Sequence, residues 1–279
     1  MKIGVSSYSF QRYRQATGAT LLDICNIAKE IGYDGIEFID LQDDSLSQEA
    51  LADALRERCN ALDLPIVAYT VRADFLEGEG EVERLQGQVD IARRLGAKVL
   101  RHDISWRRDI PWRDMIAMAA DSVRAVSEYA QNFGIRTCTE NHGYVLQDAQ
   151  RMEELMRAVN HPNYGWLVDM GNFLCADEPP AHAMPIAAPY AVHAHAKDFL
   201  WKSAAPDESW IPTRNGNALR GTILGHGVVP VADCVRELRK AGYDGWLSLE
   251  FEGLEDTRMA LQYGLALLRK AIAENETEA

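Results

Sequence analysis

The feature that most constrains this chain is an exchange of two kinds of segment that runs from one end to the other. Short runs rich in β-branched and apolar residues alternate with longer amphipathic stretches. The runs are "KIGVSSY", "GIEFI", "PIVAYTV", "KVLRHDI", "IRTCTE", "YGWLVDM", "AVHAHAK" and "WLSLEFE". Helical periodicity marks the intervening "LLDICNIAKEIG", "EALADALRERCNALD", "EVERLQGQVDIARRLG", "MIAMAADSVRAVSEYAQNFG", "AQRMEELMRAV" and "VADCVRELRKAG". Several of these close on glycine just before the next strand, where a helix C-cap wants left-handed backbone. Eight strand-helix repeats with no second class of segment predict an α/β chain folded as a parallel (β/α)8 TIM barrel, and 279 residues is close to the ~250 typical of that fold. We expect a single barrel domain over residues 1–279. An open doubly wound sheet is the alternative; it would normally carry a Gly-rich phosphate turn after the first strand, and "VSSYSFQRY" has no G-x-G-x-x-G. Two half-repeats, "IGYDGIEF" and "AGYDGWLSLEF", each pass through Gly-Tyr-Asp-Gly into a strand carrying a glutamate. They also read simply as good helix-to-strand turns.

Composition narrows the partners. With 47% apolar residues the chain can bury a substantial core. Its 42 acidic and 29 basic side chains leave a formal charge of −13, which repels a phosphate backbone, so nucleic acid is not an expected partner. Five cysteines with no C-x-x-C pair fit a reducing compartment better than a disulfide framework. The N-terminus enters a strand directly, and no apolar run approaches the ~20 residues of a membrane span. These features together predict a soluble cytoplasmic protein with no membrane partner.

In a barrel of this kind chemistry sits at the C-terminal strand ends, and the late strands end in ionisable groups. The fifth ends in Glu140, the sixth in Asp169, the seventh in His195 and Lys197, and the eighth in Glu250. Residues two apart share a face, so His193, His195 and Lys197 align, as do Cys138 with Glu140 and Ser248 with Glu250. Each alone can be a helix cap or a solvated group. Jointly, three carboxylates aimed at one opening would repel one another by several kcal/mol, or force protonation, unless a cation relieves them. Three carboxylates and one imidazole make a mostly hard ligand set for one divalent ion, with Mn²⁺ expected first and Mg²⁺, Co²⁺ or Zn²⁺ as alternatives.

The stretches "GYDGIE", "ENHG", "LVDMGN", "HAHAKD" and "GHGVVPVADCVRELRKAGYDGWLSLEFEG" carry a resemblance to the sugar phosphate isomerase/epimerase family. That family lies within the xylose isomerase-like barrels, which also hold the endonuclease IV relatives. The resemblance covers nearly the whole chain. It implies that Glu140, Asp169, His195 and Glu250 bind one divalent metal, and that Glu140 and Glu250 serve as acid and base on a sugar.

Glutamates from the fifth and eighth strands can face a bound sugar from different sides. That suits proton removal beside a carbonyl through a metal-stabilised enediolate, each acid or base contributing ~10²–10⁴-fold. Return of the proton to the same carbon epimerises, return to the neighbouring carbon isomerises, and loss of a β-substituent makes the enzyme a dehydratase or lyase. The expected function is a metal-dependent isomerase or epimerase of a sugar or keto-sugar, with the lyase as alternative. His142, His102, Lys197, Asn172 and Trp106 are the candidate substrate-binding residues, while Asp198 and Glu252 read as supporting or solvated groups. Trp106, Arg107 and Arg108 follow the fourth strand, and Trp201, Arg214 and Arg220 lie in the long loop after the seventh. A nuclease is less expected, because the endonuclease IV relatives place a metal-binding histidine three residues after the aspartate of the sixth strand, where this chain has Asn172. That asparagine also departs from the ketose epimerases in which a histidine at that spot binds substrate. A non-catalytic sugar-binding barrel would not need both glutamates. Residues 198–227 show no period and read as a lid, an oligomer contact or a flexible excursion; a homo-oligomer stays open.

Overall fold

A computed structural model describes residues 1–42, 45–78 and 80–275. The eight expected strands form a closed, all-parallel barrel. They are β1 (Lys2–Ser6), β2 (Gly35–Ile39), β3 (Ile66–Val71), β4 (Val99–His102), β5 (Arg136–Glu140), β6 (Tyr164–Asp169), β7 (Ala191–Ala196) and, after an excursion, β11 (Trp246–Leu249). Around the barrel the order is β1-β11-β7-β6-β5-β4-β3-β2, so β11 closes the sheet between the first and seventh strands and the (β/α)8 expectation holds.

The six expected helices are present as α2 (Leu21–Ile31), α3 (Gln48–Ala61), α4 (Glu81–Leu95), α5 (Trp112–Gln131), α6 (Ala149–Val159) and α8 (Val231–Lys240), joined by α1 (Gln11–Thr17), α7 (Pro180–Ala187) and α9 (Thr257–Glu274). Local chemistry sets their ends. Thr20 and Asp23 form a reciprocal capping box at the start of α2, and Gly32 ends that helix at φ 103°, a conformation that is cheap only for glycine. The helices bury their apolar stripes against the outside of the barrel, with Trp166, Tyr69, Phe10, Phe38 and Phe173 among the largest fully buried side chains. No helix among the described residues is long and apolar enough to cross a membrane.

Residues 198–227, for which periodicity offered nothing, carry regular structure after all. Strands β8 (Phe199–Lys202), β9 (Ile211–Pro212) and β10 (Ala218–Gly221) make a small antiparallel sheet in the order β8-β10-β9. Asp198 anchors it: its carboxylate accepts backbone N–H groups of Phe199 at 2.8 Å, Gly225 and Gly227 at 2.9 Å, and Val229 at 3.0 Å. The strands are two to four residues long and the pairing is fixed by distant contacts, which is why no local pattern announced it.

Candidate metal centre

Strand register assembles the late-strand cluster. In the β6–β7 ladder Asp169 stands opposite His195, and in the β7–β11 ladder His195 stands opposite Ser248, two residues before Glu250. Glu250 itself lies one residue beyond β11, and its N–H donates to the Ala196 carbonyl at 3.0 Å. Glu140, Asp169, His195 and Glu250 each offer one ligand atom, all four within 4.8 Å of one another. His195 Nδ1 is 3.8 Å from Glu140 Oε1 and 3.7 Å from both Asp169 Oδ2 and Glu250 Oε2. With metal–ligand bonds of ~2.0–2.2 Å, donors spaced in this way span about what a single divalent ion requires. Two of the inward atoms, Asp169 Oδ2 and His195 Nδ1, are buried and form no aligned hydrogen bond with the protein, although the Lys197 ammonium stands 3.3 Å from Asp169 Oδ2. Such atoms are costly unless a partner meets them. The oxygen-rich donor set and these two atoms both fit a hard or borderline divalent cation.

The surrounding groups hold the ligands in place. Asp169 Oδ1 accepts the N–H groups of Gly171 and Asn172, both at 2.8 Å. Asn141 straps the strand end, accepting from Asp169 N at 3.0 Å and Trp166 Nε1 at 3.0 Å and donating to Asp169 O at 2.9 Å. Asn172 donates to Glu140 Oε1 at 2.8 Å and accepts from Lys197 Nζ at 3.3 Å. Gly171 permits this turn to press on β7, because a Cβ there would lie 2.9 Å from the Lys197 carbonyl oxygen.

Two buried cations offset part of the negative charge. Lys197 Nζ lies 2.5 Å from Glu250 Oε2 and 3.3 Å from Asp169 Oδ2. Burial disfavours the ammonium, yet Asp169 and Glu250 outweigh it and hold the lysine well above its usual range. Arg101 contacts Glu140 Oε2 and Asp103 Oδ1, both at 2.9 Å. Burial and these cations act on the two glutamates to different net effect. Burial raises Glu140, with Arg101 only partly opposing it. For Glu250, burial is overcome by Lys197 and His195, which lower it.

Above this floor lies a cavity of about 210 Å³ bordered by Glu140, Glu250, Lys197, Arg101, His142 and Trp106, among others. His142 sits edge-on to the Trp106 ring at 4.8 Å and accepts from Arg101 Nη2 at 3.2 Å. Trp106 Nε1 donates to Asp103 at 3.1 Å. The cavity shares Tyr8, Gln11, Ile39, Asp40 and Arg72 with a polar groove of about 860 Å³ at the ends of β1, β2 and β3.

Of the residues marked in sequence, Glu140, Asp169, His195 and Glu250 come together, and Lys197, His142 and Trp106 border the cavity. Asn172 reaches the ligands rather than the cavity wall. His102 is a correction: it is fully buried between Phe75, at 5.3 Å, and Tyr164, at 6.1 Å, and does not border the cavity. Side chains alternate along a strand, and on β4 it is Arg101 that faces the carboxylates. Sequence reading passed over Arg101 and Asp103, although a charged residue inside the short run "KVLRHDI" was the available signal. It noted the glutamate of "IGYDGIEF", Glu37, but gave it no role; its Oε2 lies 2.7 Å from His193 Nε2 and its Oε1 lies 2.8 Å from His195 Nε2, the second contact off the line of a hydrogen bond. Asp198 and Glu252 differ: Asp198 anchors the small sheet, while Glu252 borders the cavity and accepts from Tyr8 at 3.4 Å.

Solved structures of similar fold include the probable 3-DHS dehydratase AsbF involved in petrobactin synthesis from Bacillus anthracis, 20% identical over 96% of this chain and 99% of that one with a TM-score of 0.75. An L-ribulose 3-epimerase is 17% identical over 99% and 96%, TM-score 0.74. A xylose isomerase-like TIM barrel protein from Mycobacterium smegmatis in complex with magnesium is 18% identical over 98% and 97%, TM-score 0.75. No curated protein sequence matches. The family model for the xylose isomerase-like TIM barrel matches residues 25–271, which takes in every strand but the first and all four clustered residues, and the chain belongs to that family.

Proposed function

We propose that this protein is a divalent-metal-dependent isomerase or epimerase of a small sugar or keto-sugar. The observation that carries the proposal is the pair of glutamates. Glu140 and Glu250 border one cavity from β5 and from the end of β11 and share one buried ligand cluster. Two carboxyls that reach one cavity from different strands suit the division of labour between an acid and a base.

In this reading Glu250, held ionised by Lys197 and His195, takes a proton from the carbon beside the substrate carbonyl. Glu140, on the other side of the cavity, returns one. Glu140, Asp169, His195 and Glu250 would hold the ion, which when bound would polarise the carbonyl and balance charge developing on oxygen. Lys197 and Arg101 fix the two carboxyls so that little reorganisation accompanies proton transfer. His142 and Trp106 offer a polar tip and an aromatic face to the sugar. The structural likeness to an L-ribulose 3-epimerase supports this reading.

A dehydratase is the second reading. The likeness to a probable dehydratase favours it, as does a cavity wall holding Arg101, Arg72 and Lys197, which would suit a carboxylate-bearing substrate. The deciding experiment incubates metal-loaded protein with a panel of ketoses in heavy water. Solvent deuterium at the carbon beside the carbonyl, with an epimer or isomer as product, supports the first reading; an unsaturated product absorbing in the ultraviolet supports the second. Absence of both across the panel, with robust cleavage of abasic duplex DNA instead, would overturn the two together.

A further inference from the structure

One buried carboxylate has no part in that chemistry. Glu37 is fully buried and borders no cavity among those at the barrel mouth. Its strand, β2, is separated from β7 by β1 and β11, so its side chain reaches across the barrel interior to the two histidines. A buried carboxylate costs several kcal/mol unless well compensated, and its position here has to be explained by what its two oxygens meet.

Two explanations compete. Glu37, His193 and His195 could themselves hold a second ion, since their donor atoms also cluster. The separations decide against it. Oxygens at 2.7 and 2.8 Å from the two Nε2 atoms are at the length of an N–H donating to a carboxylate, whereas two ligands on one ion with bonds of ~2.0–2.2 Å stand roughly 3 Å or more apart. Contacts this short leave no room for an ion between each oxygen and its nitrogen.

We infer that Glu37 is a positioning residue for the metal centre: its Oε1, 2.8 Å from His195 Nε2, favours the ring proton on that nitrogen and thereby reserves Nδ1, the nitrogen facing Glu140, Asp169 and Glu250, for the divalent ion. The inference rests on the metal-centre reading above. His193 completes the device. It lies two residues from His195 on the same strand face, its ring is edge-on to that of His195 at 5.6 Å, and its Nε2 meets both Glu37 Oε2 and Ser248 Oγ, the latter at 3.1 Å. One carboxylate oxygen is thus pinned by His193 while the other faces the ligand histidine. The Glu37–His195 contact is short but not collinear, so it is the field of the carboxylate at Nε2, rather than an aligned hydrogen bond, that favours the proton there.

The test titrates Zn²⁺ and Mn²⁺ calorimetrically into wild-type protein and Glu37→Gln, with the unfolding midpoint of each metal-free protein recorded. The expected result is one ion per wild-type chain and affinity weaker by about 10–100-fold in Glu37→Gln. Nitrogen-15 spectra of the zinc-loaded wild type should show His195 bound through Nδ1 with the proton on Nε2. An equal binding constant in the two proteins, even with a lowered unfolding midpoint, reduces Glu37 to packing and overturns the inference alone. No binding by the wild type overturns the metal-centre reading and the inference with it. If Glu37→Gln does not fold, the wild-type spectrum decides, because a His195 proton on Nδ1 in the zinc-loaded protein is incompatible with the inference.

Discussion

At the ends of β5, β6, β7 and β11 the polar side chains are almost wholly enclosed: Glu140, Asp169, Asn172, His195, Lys197 and Glu250 are each at most 9% exposed and held by several partners. At the ends of β1, β2 and β3, the other half of the same mouth, Tyr8, Gln11, Asp40 and Arg72 are partly or largely open. Arg72, for instance, is 81% exposed and meets Asp40 only at 3.5 Å. Behind them Gln48, Tyr69 and Gln88 bond to one another along the groove. Fixed, desolvated charges suit proton transfer because they need not reorganise. Open, solvated groups can adapt to a substrate but hold it loosely. In the proposed function, chemistry falls to the late strands and much of recognition to the early ones.

The sharpest way to break that assignment is to neutralise a late carboxylate. Asp169→Asn should lose stoichiometric metal by elemental analysis, and Glu140→Gln or Glu250→Gln should lower turnover by ~10²–10⁴-fold with the fold retained. Full activity in either glutamate variant would remove that residue from the mechanism.

Next in size is Arg101→Met, which leaves Glu140 and Asp103 buried without their guanidinium. Removing one partner from a buried ion pair costs roughly 3–5 kcal/mol, readable as a lower urea midpoint at neutral pH. For Asp103, burial is overcome by Arg101 and the pKa is held at about 2. Its lowered value stabilises the fold above the unfolded carboxyl range and is lost as pH falls towards 2. The Met variant should therefore differ least from wild type in strong acid. A urea midpoint unchanged at neutral pH would show that the late half is not organised around this arginine.

His102 gives a smaller, purely structural effect. Burial lowers its pKa from 6.5 to about 4, so between those values the unfolded chain takes up a proton that the folded chain refuses. Stability from this group is complete above pH 6.5 and falls as pH drops towards 4. At about 1.4 kcal/mol per unit, the loss approaches about 3 kcal/mol. His102→Phe should flatten that part of the stability profile and leave turnover alone; a fall in kcat would place His102 in the site after all.

The smallest expected effect is in the early half. Arg72→Ala or Gln88→Leu should raise KM by no more than about tenfold with kcat kept, the signature of binding shared by ground and transition states. A large loss of kcat in either would erase the division between the two halves.

The sequence reading and the structure agree where side-chain direction follows from strand period alone. Glu140, Asp169 and His195 were legible because each ends a short apolar run, and Glu250 because the same alternation carries past β11. His102 was misplaced by one position of that alternation, since four residues of β4 are too few to show which parity faces inward. Arg101 and Asp103 were hidden by the same ambiguity. The small sheet over residues 199–221 was invisible because its pairing depends on Asp198 and on contacts between segments that have no period of their own.

By itself, then, the sequence determined the repeating strand-helix units, their caps and the residues at the late strand ends, because these depend on neighbours within a few positions. Only the tertiary structure decided that Glu37 meets His193 across 156 residues of chain, that Arg101 rather than His102 meets Glu140, and that a small sheet follows β7. Such contacts exist only once the barrel has closed and its register is fixed, and no local pattern encodes either.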